Sequence, residues 1–335
     1  MKQLYLGIDT SNYKTSAAVT DIEGAIAAEK SVLLEVPGGK RGLRQSEAFF
    51  MHSNRLPGYL DEIFESIDPD MISCIGVSEK PRRAEGSYMP CFLAGVNAAV
   101  TLGSALKVPV YRFSHQEGHA AAVMEGPGRS LSGESVFFHL SGGTTEALKC
   151  APDDNGYCME IAGGTLDISI GQLFDRFGVA LGLPFPAGKY LDEAAYRFLE
   201  KYGFDPAEAE FPGIMPRIKI NDGFFNLSGA ETRLMRSAEG ALNDESSYAS
   251  YAAELFVKIS ELLSSEALFL SDKYGIGRIV MAGGAASSKT IRRLLENRRG
   301  PEIIFGEPEL SGDNAVGTAR LAKRIHETGK RISGK

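Results

Sequence analysis

His115 and His119 stand four residues apart in the run Phe113-Ser-His-Gln-Glu-Gly-His-Ala-Ala-Ala-Val-Met124. On a helix that spacing is about one turn, so both imidazoles project from one face and form half of a divalent metal site. The helix reading has local support. Ser114 is a candidate N-cap, Glu117 completes a capping box, and the alanines that follow favour helix. A histidine pair with no ligand is the competing reading. A zinc peptidase is disfavoured by residue order: its general-base Glu directly follows the first His, and here that place holds Gln116. Glu117 lies roughly 200° around the helix from His115, pointing away from any cation the pair holds.

Four glycine-containing segments are candidate ligand loops. In Gly7-Ile-Asp9-Thr10-Ser11, Asp9 ends a strand as a turn residue or faces a phosphate or a metal-bound water. Leu140-Ser141-Gly142-Gly143-Thr-Thr-Glu146 reads as a tight hairpin turn or as an anion nest. Ala282-Gly283-Gly284-Ala-Ala-Ser-Ser288 joins a strand to a helix starting near Lys289, where a nucleotide can lie against backbone at a helix N-terminus. It is not G-x-G-x-x-G, which weakens a Rossmann assignment. Asp313, in Gly312-Asp-Asn314, is either the N-cap of the next helix or a carboxylate completing a His/His/Asp metal set. On a helix assigned to Ile168–Leu181, Asp167, Gly171 and Asp175 recur at i, i+4 and i+8, a narrow polar stripe that reads as ligand-lining or solvent-facing.

The elements that must position these residues alternate. Strand-like stretches fall at Leu4–Asp9, Ser16–Thr20, Ile72–Val77, Val108–Tyr111, Val136–Leu140, Ala147–Lys149, Arg278–Met281 and Glu302–Phe305. Helical periodicity appears at Glu47–Ser66, Phe92–Leu106, Ile168–Leu181, Leu191–Tyr202, Tyr248–Tyr274 and Ala315–His326, so the chain is α/β. A strand, a small polar turn and a second strand occur near residue 9 and again near residue 141, which suggests two related halves, each opening with a hairpin. The 335 residues suffice for two domains. A net charge of -7 gives no global nucleic-acid footprint, so RNA contact must rest on local patches or a partner. The four cysteines form no CxxC pair, as suits a reducing cytosol. The N-terminus enters a strand with no signal peptide, and the apolar stretch Cys91–Val110, interrupted by Asn97, Thr101, Ser104 and Lys107, reads as helix plus strand and not as a membrane span. A soluble, cytoplasmic protein is expected.

Taken in order, Gly7-Ile-Asp-Thr-Ser, His115-x-x-x-His119, Leu140-Ser-Gly-Gly, Asp167-x-x-x-Gly-x-x-x-Asp175, Leu181-Gly-Leu-Pro-Phe-Pro, Phe225-Asn-Leu-Ser-Gly229, Ala282-Gly-Gly-Ala-Ala and Asp313-Asn resemble the TsaD group. These are the tRNA threonylcarbamoyladenosine transferases, once described as O-sialoglycoprotein endopeptidases. The resemblance runs from residue 3 to about residue 323. It implies a two-domain α/β fold of the actin, Hsp70 and sugar-kinase type (ASKHA), with a ligand cleft between domains made of residues 1–112 plus 311–335 and of residues 113–310. It implies transfer of a threonylcarbamoyl group from threonylcarbamoyl-adenylate to a tRNA adenine amine. One divalent metal, zinc or iron, would be held by His115, His119 and Asp313; Asp9 is a further candidate catalytic group. An adenine nucleotide would be held by His139, Leu140, Ser141, Gly142, Gly143, Asp167, Asp175, Gly188, Gly283, Gly284 and Ser288, and a protein partner of the TsaB type is implied.

The chain departs from the pattern near the site. Thr144 replaces a histidine, Ile168 an aspartate, Gln172 a glutamate and Ser288 an asparagine; Phe185-Pro-Ala-Gly-Lys189 replaces Tyr-Pro-Gly-Gly-Pro, and Ser228-Gly-Ala-Glu231 replaces Ser-Gly-Leu-Lys. A Gly-Pro-Gly loop is replaced by Lys80-Pro-Arg-Arg-Ala-Glu-Gly86. The three candidate ligands persist, which suggests a divergent paralog. Two rival readings follow: a non-catalytic nucleotide-binding scaffold paired with an unaltered homologue, or a carbamoyltransferase or kinase of the same superfold with another acceptor. Lys40, Arg41, Arg44, Arg82 and Arg83 are a candidate basic rim for tRNA, or plain solvated charge.

Overall fold

The computed structural model describes residues 3–11, 13–35, 43–131, 133–241, 245–296, 298 and 300–329. Its elements run β1 (Leu4–Ser11), β2 (Lys14–Thr20), β3 (Ile26–Leu33), α1 (Gln45–Ser66), β4 (Ile72–Lys80), α2 (Phe92–Leu106), β5 (Val110–Ser114), α3 (His115–Met124), β6 (Glu125–Gly126), β7 (Arg129–Ser130), β8 (Ser135–Leu140), β9 (Thr145–Asp153), β10 (Gly156–Thr165), α4 (Ile170–Ala180), α5 (Gly188–Glu200), β11 (Phe224–Phe225), α6 (Ser228–Ala241), α7 (Glu245–Tyr274), β12 (Arg278–Ala282), α8 (Lys289–Glu296), β13 (Glu302–Phe305) and α9 (Val316–Glu327).

The chain packs as two units, residues 1–133, 151–159 and 312–335 in the first, 134–150 and 160–311 in the second. The first carries a sheet ordered β3-β2-β1-β4-β5; the second carries β11-β10-β9-β8-β12-β13. In each sheet an antiparallel hairpin (β1–β2, β8–β9) is continued by parallel strands (β4 and β5, β12 and β13). The two related halves expected from the paired hairpins are therefore present as matching strand orders. β1 is buried from Tyr5 to Ser11, a continuous run that befits a strand covered on both faces.

The packed division differs from the boundary expected at residues 112 and 113. Residues 113–133 belong with the first unit because α3 lies against α9 at a glycine crossing. A Cβ on Gly317 would stand 2.7 Å from the Ala122 nitrogen and 2.8 Å from the Gly118 carbonyl carbon, so only glycine permits this approach. The β9–β10 tip joins the same unit: the Tyr157 N–H donates to Glu117 at 3.0 Å.

α4 begins two residues later than expected. Ser169 is its N-cap and Gln172 closes a capping box, so Asp167 precedes the helix and shares no face with Gly171 and Asp175. The Ser169-x-x-Gln172 signature was in the sequence; the longer periodic pattern obscured it. Strands β3 and β10 and helix α6 lay outside the expected elements. Among the described residues no helix is long and apolar enough to cross a membrane. The four cysteines are free thiols.

Candidate functional site

Helix α3 starts where β5 ends, and its capping box forms as expected: Glu117 accepts from the Ser114 N–H at 2.8 Å while Ser114 accepts from the Glu117 N–H at 3.3 Å. Glu117 is thus spent on the cap and on Tyr157. This start places His115 and His119 side by side, ring centroids 4.4 Å apart, with their Nε2 atoms separated by 3.0 Å.

Asp313 comes to the same point from the other end of the chain. Its Oδ1 lies 3.4 Å from His115 Nε2 and 3.2 Å from His119 Nε2. The N-cap alternative for Asp313 is corrected. Asn314 Oδ1 accepts from the Val316 and Gly317 amides, which leaves the Asp313 carboxylate to face the imidazoles. The three donor atoms lie within 4.8 Å of one another. Ligand atoms at about 2.0–2.2 Å from one cation are spaced roughly 3–3.5 Å apart, which this triangle matches. Two imidazoles and a carboxylate with open positions suit zinc or iron.

Asp9 stands behind His115. Its carboxylate is 1 % exposed and lies 2.7 Å from His115 Nδ1. A carboxylate only accepts, so Nδ1 carries the hydrogen and Nε2 is left to a cation, the carboxylate–histidine arrangement of metal centres. Burial works against charge on His115, but the carboxylates of Asp9 and Asp313 outweigh it and hold the imidazole pKa well above its usual value. Burial would likewise raise the Asp313 carboxyl; the two histidines outweigh it and hold it well below the usual range. Positive charge at this point is what the carboxylates favour.

The second unit has its own cavity, of ≈ 350 Å³, lined by Gly142, Gly171, Phe174, Asp175, Pro186, Gly188, Lys189, Asp192, Phe256, Gly284, Ala285, Ser287 and Ser288. The expected nucleotide residues divide here. Gly142, Asp175, Gly188, Gly284 and Ser288 line the cavity; His139, Leu140, Ser141, Gly143, Asp167 and Gly283 do not. Asp175 Oδ1 accepts from the Ala187 and Gly188 amides at 2.8 and 3.1 Å. Ser288 caps α8, accepting from Ile291 N–H, and is held in turn by Asp192 at 2.6 Å. Asp167 accepts from the Leu227 and Ser228 amides, bracing the start of α6. Burial disfavours its charge, but these amides outweigh that and lower its pKa far below the carboxylate range.

The Ser141–Thr144 segment is the hairpin turn, closed by Ser141 N–H to Thr144 O at 2.8 Å, with the Ser141 hydroxyl accepting from Thr144 N–H. His139 is half-buried, opposite Glu146 in the β8–β9 register. Leu140 is core. Gly283, at φ +106, passes the Leu140 carbonyl where a Cβ would collide, so its role is the strand-to-helix turn itself.

Sequence reasoning missed Asp192, Phe174 and Phe256. The two rings stack at 4.5 Å, and an apolar helix residue carries no signal that separates a cavity wall from core. Of the basic rim, Lys40 and Arg41 lie outside the described residues and Arg44 is exposed. Arg83 is paired with Asp153 at 2.7 Å and donates to Tyr157 O, which explains it without RNA; Arg82, which is half-buried, donates its backbone N–H to Ser87.

Residues 40–320 match the model of the TsaD family, described as tRNA N6-adenosine threonylcarbamoyltransferase. The chain is 31% identical over 322 residues to the Thermotoga neapolitana tRNA N6-adenosine threonylcarbamoyltransferase, covering 94% of this chain and 92% of that one. It is 27% identical over 327 residues to the Archaeoglobus fulgidus protein of the same name, covering 97% and 92%. Among solved structures it resembles the activator of 2-hydroxyisocaproyl-CoA dehydratase from Clostridium difficile (TM-score 0.52, 14% identity, 99% of both chains). It also resembles HypF from T. kodakarensis (TM-score 0.58, 13% identity, 97% of this chain and 47% of that one). These likenesses show the expected ASKHA-type fold. The chain belongs to the tRNA N6-adenosine threonylcarbamoyltransferase family.

Proposed function

We infer that this chain is a metal-assisted transferase that moves a threonylcarbamoyl group from threonylcarbamoyl-adenylate to the exocyclic amine of a tRNA adenine. The observation that carries the reading is the convergence of His115, His119 and Asp313, braced by Asp9, in a family member that departs from the pattern at several other motif positions. His115 Nε2, His119 Nε2 and Asp313 Oδ1 would hold the cation. Bound there, the metal supplies Lewis-acid polarisation of carbonyl and phosphate oxygens. Asp9 keeps the Nδ1 hydrogen on His115 and so keeps Nε2 available. The unit-two cavity would take the adenine nucleotide: Phe174 and Phe256 offer apolar walls, and Asp175 fixes the Ala187–Gly188 turn against which it would lie. Attack by the adenine amine on the carbamoyl carbon forms the new C–N bond, breaks the bond to the phosphate oxygen, and releases AMP and a proton. An adenine amine is a weak nucleophile, so positioning and charge stabilisation must supply most of the rate.

A second reading, a nucleotide-binding scaffold without transfer, is favoured by the fate of two altered positions. Gln172 accepts from the Ser169 N–H and Ser288 is engaged by Asp192, so both serve local structure. Purified protein incubated with threonylcarbamoyl-adenylate and unmodified tRNA separates the readings. Threonylcarbamoyladenosine in the digested tRNA supports transfer; its absence, with nucleotide and metal still bound, supports the scaffold.

A further inference from the structure

We propose that Ser11 is a positioning residue for the metal centre: its hydroxyl occupies Asp313 Oδ2 and so presents Oδ1 alone to the two imidazoles. The proposal rests on the metal reading above and assigns a task to a residue that lies outside the three ligands. Ser11 ends β1 and is 4 % exposed. Its hydroxyl lies 3.0 Å from Asp313 Oδ2, across 302 residues of chain. A carboxylate oxygen has no hydrogen to give, so the hydroxyl is the donor and its direction is settled.

The same residue grips the centre a second time. Its backbone N–H donates to Asp9 Oδ1 at 2.9 Å, and Asp9 Oδ2 takes the Nδ1 hydrogen of His115 at 2.7 Å. A closed ring results, Asp313 to Ser11 to Asp9 to His115 and back to Asp313, so the end of one strand orients two of the three ligands. Asp313 needs this brace. It precedes α9 in a turn, and the first amides of that helix donate to Asn314 and not to Asp313. Without the Ser11 hydroxyl the carboxylate is free to rotate, or to offer both oxygens to the cation. Ser11 is small enough to sit between two carboxylates, and its side chain carries a single donor hydrogen, which matches the one Asp313 oxygen left over.

The test is Co(II) titration of the full-length, chelator-stripped protein against a calibrated competing chelator, read both as affinity and as the visible spectrum of the bound ion. Ser11→Ala is expected to weaken Co(II) binding about 10- to 100-fold, the usual effect of removing a hydrogen-bond partner of a ligand, and to alter the spectrum. Ser11→Thr keeps the hydroxyl and is expected to restore both. His119→Ala is expected to abolish binding, which assigns the signal to this centre. Wild-type affinity and spectrum in Ser11→Ala overturn the proposal while leaving the metal reading intact. Equal weakening by Ala and Thr overturns it as well, since packing and not the hydroxyl would then matter. No Co(II) uptake by the wild type, or uptake unchanged in His119→Ala, overturns the metal reading and the proposal together.

Discussion

Replacing Gly317 by Ala tests how the fold delivers Asp313 to the histidines. The new methyl would press on the backbone of α3, 2.7 Å from Ala122 N and 2.8 Å from Gly118 C, with the Gly118 carbonyl oxygen nearer still. Real Cβ contacts essentially never fall under 3.0 Å, and none of these atoms belongs to a flexible side chain. Relief therefore requires α3 and α9 to part by on the order of 1 Å, whereas ligand distances tolerate about 0.2 Å. The histidines ride on α3 and Asp313 immediately precedes α9, so the parting acts directly on the triangle. Overpacking of this kind costs about 1–3 kcal/mol, or about 2–4 °C of melting temperature per kcal/mol for a unit of this size. Elemental analysis and thermal unfolding of the variant are expected to show lost metal and a lowered midpoint. Wild-type metal content at an unchanged midpoint would refute the claim that the glycine crossing sets the site.

Three further outcomes are expected. Glu266 is fully buried on α7, and neither carboxyl oxygen has a hydrogen-bond partner of full geometry among the described residues. Burial pushes its pKa well above 4.5, only partly offset by the Gly164 amide. Below pH 4.5 the folded and unfolded chains both carry the proton; above it the unfolded chain ionises first, so stability falls by up to about 1.4 kcal/mol per pH unit until the folded pKa is passed. Glu266→Gln flattens that slope in urea unfolding as the pH rises above 4.5; curves parallel to wild type would exclude a neutral Glu266. Glu254 accepts from the Gly213, Ile214 and Met215 amides, so Glu254→Ala should cost about 3 kcal/mol in urea unfolding and expose that loop to protease; a loss within error would show that the loop is held by other contacts. Gly171→Ala would place a Cβ 2.6 Å from Gly142 Cα and push the hairpin turn against the cavity. Calorimetry is expected to show adenine-nucleotide affinity at least about tenfold weaker with metal content unchanged, and equal affinity would detach the cavity from nucleotide binding.

The candidate metal site was legible because its parts obey local rules. A Ser-x-x-Glu capping box announced α3, and i, i+4 spacing placed both imidazoles on one face. Asp313 was legible only as one of two alternatives, because an Asp before a helix is an ordinary cap; that α9 takes Ala315 as its N-cap and that its first amides donate to Asn314 is decided by backbone geometry at residues 315 to 317. Ser11 was visible as part of a motif but not as a partner of Asp313, since no local pattern joins residues 302 positions apart. In the second unit the glycine-rich loops were found and their tasks were divided. Gly142 and Gly284 line the cavity, while Ser141 closes a turn and Gly283 allows one. Asp167 misled because periodicity ran past the true N-cap at Ser169.

His115, His119 and Asp313 are expected to hold one cation between them. Elemental analysis of the wild type and of Asp313→Ala after gentle, chelator-free purification measures it. The expected result is one equivalent of zinc or iron per chain in the wild type and none in the variant, with both chains folded by circular dichroism. Equal metal content in the two, or none in either after reconstitution with each ion, would contradict the account.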